Sequence, residues 1–296
     1  MLKVEKVAFI GLGVMGEPMC RNLAVKSGLR IFGFDKRTQP LRRLNSYGVV
    51  EAKNLREALL EADVVLMCLP SGAELEELSK SEDGLLSISH PGQTLVDLGT
   101  SPVELTRKLA DSFLGKGVMY SDAPVSRTRS AAEAGTLSSL VGGEKQVFDT
   151  ILPLLECFSE EVIHCGNVGS GQIVKQLNNM ILTETVVALA EALSLGRRAG
   201  LDDKLLFETL SKCSADSFAL RNHGMKALLP GKFPKQAFSS AYMLKDINYA
   251  LELAEENGLA LPAASLARKL LQKTVEAGYA DDYFPSLIRV LTSYDK

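Results

Sequence analysis

The chain has 296 residues, about twice an ordinary domain, so two domains are expected. Apolar residues make up 46% and charged residues 23%, the balance of a globular protein rather than a disordered or fibrous one. A net charge of −3 argues against the basic surface that nucleic-acid binding ordinarily needs.

Five cysteines (Cys20, Cys68, Cys157, Cys165, Cys213) and three histidines (His90, His164, His223) are dispersed, with no CxxC pair. No zinc-ligand cluster can be written from them, so no metal is expected, and the cysteines read as ordinary core residues. An odd number of free cysteines fits a reducing compartment. The run Val7–Ile10 goes straight into glycines rather than into a signal-type segment, and later apolar stretches are broken by Glu184 and Glu191. The expectation is a cytoplasmic protein that binds neither nucleic acid nor membrane.

Val7–Ile10 has the length of a buried parallel strand and leads into Gly11-Leu12-Gly13-Val14-Met15-Gly16, followed by a helical pattern through Met19, Leu23 and Ala24. A GxGxxG match alone is weak, but between a strand and a helix it predicts a dinucleotide site. Gly11 allows the tight turn, Gly13 the close approach of the pyrophosphate, and Gly16 the packing of helix on strand. The second strand, Arg30–Phe34, ends in Asp35, 19 positions after Gly16. An acid there accepts from the ribose hydroxyls and favours NAD, while the adjacent Lys36 and Arg37 could clasp the extra phosphate of NADP.

Helices at Leu55–Glu61 and Glu74–Leu78 alternate with strands at Asp63–Leu69 and Thr94–Leu98, and Pro102 is placed to begin the next helix. Leu69-Pro70 and Thr100 fall at carboxyl ends of strands, where open α/β sheets bind ligands. The alternation predicts a parallel sheet, extended by strands at Val118–Ser121, Leu137–Val141 and Glu161–His164. The loop from Asp122 to Leu137 holds hydroxyls and two arginines. Ser126, Arg127 and Thr128 can bind an anion there, although a solvated basic loop has the same composition.

After Gly166 strand-like alternation stops. Gln172–Arg198 reads as one helix of about 40 Å. Further helices are expected at Asp203–Cys213, Gly224–Leu229, Ala241–Asn257, Pro262–Ala277 and Phe284–Thr292. The fold class is therefore α/β: a Rossmann domain with extra strands over residues 1–165, then an all-α domain over 166–296 opened by a long helix. That helix is too apolar to stand alone and must be surrounded by helices of the same chain or of a partner subunit; a homodimer or homotetramer is expected. On it, Asn178 and Asn179 lie three and four residues beyond Lys175, so an ammonium and two amides share one face. Lys175 is the candidate catalytic group, with Asn178 and Asn179 beside it for substrate. A free lysine has a pKa of about 10.4, so proton transfer needs the depression that burial and neighbouring cations bring. Lys245-Asp246 reads as a solvated pair, and His164 and His223 as structural.

Four stretches now occur in order: Phe9-Ile-Gly-Leu-Gly-Val-Met-Gly16, Asp122-Ala-Pro-Val-Ser126 with Gly135-Thr-Leu137, Gly169–Asn179, and Lys245-Asp246. Over essentially the whole chain this combination resembles the β-hydroxyacid dehydrogenase family, whose members include 3-hydroxyisobutyrate dehydrogenase and tartronate semialdehyde reductase. The resemblance implies a second domain like that of 6-phosphogluconate dehydrogenase. It also implies NAD(P)-dependent, reversible hydride transfer between a 3-hydroxyacid and its semialdehyde, with Lys175 as general acid and base. It implies Ser126 and Asn179 at the substrate carboxylate, and Leu69, Pro70, Thr100 and Lys245 at the cofactor.

Family members acting on simple hydroxyacids usually carry two glycines after the serine; this chain has Arg127-Thr128. That pair is similar to sulfolactaldehyde reductases, where the arginine meets a sulfonate, but the small residue of that subgroup seven positions after the lysine is Leu182 here. The expectation is a small anionic substrate more charged or larger than 3-hydroxyisobutyrate. Two other readings are an imine reductase on the same scaffold, whose members generally replace the lysine, and a non-catalytic nucleotide-binding module.

Overall fold

The computed structural model describes residues 4–235 and 237–291. It divides into two compact units, residues 1–175 and 176–296.

The first unit alternates strand and helix: β1 (Lys6–Ile10), α1 (Gly16–Lys26), β2 (Arg30–Phe34), α2 (Thr38–Asn45), β3 (Val50–Glu51), α3 (Leu55–Leu59), β4 (Val64–Met67), α4 (Gly72–Lys80), α5 (Leu85–Ile88), β5 (Thr94–Asp97), α6 (Val103–Leu114) and β6 (Met119–Asp122). It continues as β7 (Val125–Ser126), α7 (Arg129–Ala134), β8 (Leu137–Gly142), α8 (Lys145–Leu155) and β9 (Ser159–Gly166). The described residues form a nine-stranded sheet in the order β3-β2-β1-β4-β5-β6-β8-β7, with β9 on β8. From β3 to β6 every pairing is parallel. Successive residues of one strand enter opposite cores. Val7, Phe9, Val64 and Leu66 pack on one face, Ala8, Ile10, Val65 and Met67 on the other, the pattern of a sheet buried on both sides.

The parallel sheet expected throughout is corrected beyond β6, where β8 runs antiparallel to both β6 and β7. The cause is local. The chain leaves β6, continues as β7 and doubles back through the six-residue α7, a hairpin connection rather than a full crossover. Only β9, reached through α8, returns parallel to β8.

The helix α9 spans Ser170–Arg198 and carries the boundary between the units within it. By length and composition it would suffice to cross a membrane. Its Val186, Leu189, Ala190 and Leu193 instead sit in the core of the second unit, with Phe207, Leu220, Met243, Ile247, Leu271 and Phe284. That unit adds α10 (Asp203–Leu210), a π-helix at Leu220–Leu228, α11 (Ser240–Glu256) and α12 (Pro262–Thr274). The helix expected at Gly224–Leu229 is thus longer and wound as a π-helix. The chain expected to be helical to Ala277 passes at Val275 into a second π turn, with Gly278 non-helical inside it. The helix expected over Phe284–Thr292 is a 3₁₀ turn at Phe284–Leu287 and one α turn at Ile288–Leu291, and Thr292 lies outside the described residues.

Candidate active site

The glycine-rich turn joins β1 to α1. A side chain at Gly16 would place its Cβ 1.9 Å from the Gly11 carbonyl oxygen, so only glycine lets α1 start this close to the turn. Gly13 meets the opposite condition: a Cβ there would find only an Arg37 nitrogen, at 4.0 Å. That bare backbone at the start of a helix is what a pyrophosphate needs, so these residues fit a dinucleotide. Val14 is exposed, Met15 is part-buried, and Leu12 is buried.

The Leu12 N–H is already used, donating to Asp35 Oδ2 at 2.7 Å. Arg37 closes on the same carboxylate, with Nε to Oδ1 at 3.1 Å and its backbone N–H to Oδ1 at 2.8 Å. Burial pushes the Asp35 carboxyl up, but these hydrogen bonds from Arg37 and Leu12 together outweigh it and hold the group below its ordinary value. Lys36 points to solvent. Of the basic pair, then, Arg37 lies against Asp35. The ends of β4 and β5 adjoin the turn: a Cβ on Gly11 would strike Cys68 O at 2.3 Å, and one on Gly99 would come within 3.1 Å of Leu69 O. Leu69, with Pro70 after it, and Thr100 are thereby gathered at the carboxyl edge of the sheet.

Lys175 is 8% exposed. It sits on the second turn of α9, whose start is fastened to that sheet edge. The buried Asp122 at the end of β6 accepts from Gly169 N at 2.6 Å and from Gln172 N at 2.8 Å, capping N–H groups that a helix start leaves unpaired. Burial raises its carboxyl to about 6 against the pull of those backbone donors. A Cβ on Gly171 would lie 2.1 Å from Leu140 O, so glycine is required where α9 crosses β8.

The loop after β6, expected to be able to bind an anion, is internally paired. Ser126 is paired in β7 opposite Ser138. Thr128 caps the short helix α7, accepting from Ala131 N, and its hydroxyl meets Ser130. Arg127 holds φ +84°, the one non-glycine residue in the left-handed region among the described residues. Its Nη1 donates to Thr136 O at 2.7 Å and pairs with Glu160 of β9 at 2.5 Å. Arg129 pairs with Glu133 one turn along. Neither guanidinium is without an acid.

In the second unit, Asn179 is 1% exposed and donates through Nδ2 to Asp246 Oδ2 at 2.6 Å. Its Oδ1 accepts from Asn178, which is exposed. The Lys245-Asp246 pair is not solvated, contrary to expectation: Asp246 is fully buried, Lys245 Nζ lies 3.0 Å from it, and the ammonium sits over Tyr242 at 4.1 Å and Tyr249 at 5.1 Å. Helical spacing makes the difference, because Tyr242 and Tyr249 lie three and four residues from Lys245 on α11.

Among the other side chains, His164 donates through Nε2 to Gly143 O at 2.8 Å and lies against Phe148. His223 is buried among Phe218, Tyr283 and Phe284. Cys20 and Cys157 are core residues as expected, whereas Cys213 is exposed. Sequence reading gave no role to Gln172, Glu160 or Asp246. Asp122 and Asp246 were visible as members of motifs, but their partners lie 47 and 67 residues away.

A glycine turn open at Gly13, an acid closing the second strand and a buried lysine beyond the sheet edge fit an NAD(P)-dependent oxidoreductase. The comparisons agree. Residues 6–166 match the NAD binding domain of 6-phosphogluconate dehydrogenase, and residues 169–291 match the NAD-binding domain of NADP-dependent 3-hydroxyisobutyrate dehydrogenase. The 3-hydroxyisobutyrate dehydrogenase of Pseudomonas aeruginosa is 36% identical over 279 residues, covering 92% of each chain. The 2-(hydroxymethyl)glutarate dehydrogenase of Eubacterium barkeri is 32% identical over 290 residues, covering 98% of this chain and 96% of its own. The structure of Mycobacterium tuberculosis 3-hydroxyisobutyrate dehydrogenase with L-serine superposes with a TM-score of 0.88 at 31% identity, covering 98% of this chain and 99% of that one. An imine reductase from Pseudomonas sp. shares the fold, with a TM-score of 0.64 at 16% identity over 98% of this chain and all of that one. The chain belongs to the β-hydroxyacid dehydrogenase family.

Proposed function

We propose that the chain oxidises a small anionic 3-hydroxyacid to its semialdehyde, reversibly, with Lys175 as the proton-transfer group. The observation that carries this reading is the placement of a buried lysine on a helix fastened to the loop that holds Thr100. Residues 1–165 bind the dinucleotide in this reading, and residues 166–296 serve substrate and assembly. Gly11, Leu12, Gly13, Val14, Met15 and Gly16 hold the pyrophosphate, Asp35 the ribose, and Leu69, Pro70, Thr100 and Lys245 the remainder of the cofactor. The bound nicotinamide supplies the hydride acceptor.

The rest is the work of the chain itself. In oxidation, Lys175 Nζ takes the hydroxyl proton as the carbinol carbon gives up its hydride; in reduction it polarises the carbonyl and returns the proton. Ser126 and Asn179 hold the substrate carboxylate, with Thr128 and Asn178 at its margins. Arg127, if drawn from Glu160 by a stronger anion, meets a second acidic group on the substrate. NAD is the favoured cofactor, since Asp35 faces the ribose, and Arg37 leaves NADP usable.

The exposure of Leu177, Ile181 and Leu195 on α9, at 40%, 58% and 70%, supports a homodimer or homotetramer. The acidic net charge and the free cysteines support a cytoplasmic enzyme that works without nucleic acid or membrane. An imine reductase is the weaker reading because Lys175 is retained. The test is cofactor oxidation across a panel of semialdehydes and cyclic imines with NADH and NADPH. Turnover of anionic semialdehydes is expected; turnover of cyclic imines alone, or of nothing, contradicts the proposal.

A further inference from the structure

The buried amide of Gln172 joins two structures that the proposed chemistry needs held in register. It lies on α9 three residues before Lys175, a rise of about 4.5 Å. Its Oε1 accepts from Ser101 N at 3.1 Å, and its Nε2 donates to Gly99 O at 2.9 Å and to Asp97 Oδ2 at 3.3 Å. Asp97 is itself fixed to that loop, accepting from Gly99 N and from Ser101 Oγ, each at 2.8 Å. Gln172 is 0% exposed and Asp97 is 1% exposed. One amide thus spans the residues on both sides of Thr100. Its own backbone N–H is bound to Asp122.

We propose that Gln172 is a positioning residue that sets the axial and rotational register of the Lys175 helix against the Gly99–Ser101 loop. This inference rests on Lys175 being the proton-transfer group. Capping by Asp122 alone fixes where α9 starts. The Gln172 side chain adds a second anchor on a different strand end, and two anchors stop the helix from turning about the first. A packing residue would need only to fill the volume. Gln172 instead uses both ends of its amide on backbone groups of the loop, in a way that an apolar side chain of the same size cannot copy.

The test uses the full chain with NAD+ and, as probes, 3-hydroxyisobutyrate and L-serine. Gln172→Met is expected to lower kcat about 10–100-fold while KM for the alcohol changes less than about threefold, the split that a misplaced proton acceptor produces. Gln172→Glu guards against a plain folding defect. When protonated, the glutamic acid reproduces the amide's acceptor and one donor; when ionised, it faces Asp97. Its kcat relative to the parent is therefore expected to rise as pH falls, and a ratio that stays flat with pH overturns the proposal.

Hydrogen exchange reads the same anchor without turnover. The Ser101 amide is expected to exchange at least about tenfold faster in Gln172→Met, and unchanged protection there also overturns the proposal. Lys175→Ala separates the two failures. If that variant keeps its turnover, the assigned chemistry falls. If it is inactive while Gln172→Met keeps the parental kcat, only the role of Gln172 falls.

Discussion

Asn179 gives its amide N–H to the fully buried carboxylate of Asp246 across 2.6 Å, and the other oxygen of that carboxylate holds Lys245 at 3.0 Å. One acid on α11 therefore orients two residues with proposed roles at the substrate and the cofactor. Removing it leaves a buried amide without its acceptor and an ammonium without its ion-pair partner, which typically costs about 3–5 kcal/mol, on the order of a large part of a domain's stability. Asp246→Ala is expected to lose about that much in urea unfolding, and Asp246→Asn about half as much because one acceptor oxygen remains. A variant as stable as the parent would show that the pair is incidental.

Arg127 makes a different trade. Its φ of +84° costs a non-glycine residue about 1–2 kcal/mol, while its partly exposed pair with Glu160 returns about 1 kcal/mol or less. Arg127→Gly is thus expected to leave stability within about 1 kcal/mol of the parent, or raise it, while shifting preference towards substrates with a single carboxylate. Substrate ranking across mono- and dianionic hydroxyacids checks this, and an unchanged order would remove Arg127 from the site.

How much of this was legible beforehand depends on the range of each interaction. The glycine turn, Asp35 and the α9 lysine with its amides are local patterns, and one strand or helix period places them. The antiparallel return of β8 was not legible, because Gly135, left-handed at the end of α7, marks where a helix stops but not the direction of the strand that follows. Nor was the engagement of Arg127, since Glu160 lies 33 residues on and looks like any surface acid. Solvated and buried lysine–aspartate pairs read alike too. The packing of Tyr242 and Tyr249 on Lys245, which distinguishes this pair from a solvated one, appears only in the structure.

Cofactor choice turns on Asp35 and Arg37. Asp35→Ser is expected to raise kcat/KM with NADP+ relative to NAD+ by about tenfold or more, since the 2′-phosphate no longer meets a carboxylate and Arg37 is released to it. Arg37→Ala is expected to depress NADP+ use and spare NAD+. Equal losses with both cofactors in either variant would refute this division of roles.

His223 gives a pH signature for stability. Burial, aided by the nearby Lys226, lowers its pKa from 6.5 to about 4. A depressed pKa means that the neutral ring favours the fold. Its contribution is fully present above pH 6.5 and is lost as the pH falls towards 4. His223→Gln does not titrate, so the parent's stability relative to this variant is expected to fall by about 3 kcal/mol across that window. A difference constant with pH would contradict the assignment of a buried neutral ring hydrogen-bonded to Tyr283.

The central claim is that Lys175 moves the proton while other residues bind the cofactor. The measurement that addresses it most directly pairs single-turnover hydride transfer with NADH titration by fluorescence in Lys175→Ala. The account predicts a fall in turnover of about 100-fold or more with an NADH affinity close to that of the parent. Turnover near the parental rate, or a loss of activity explained entirely by lost NADH binding, would contradict it.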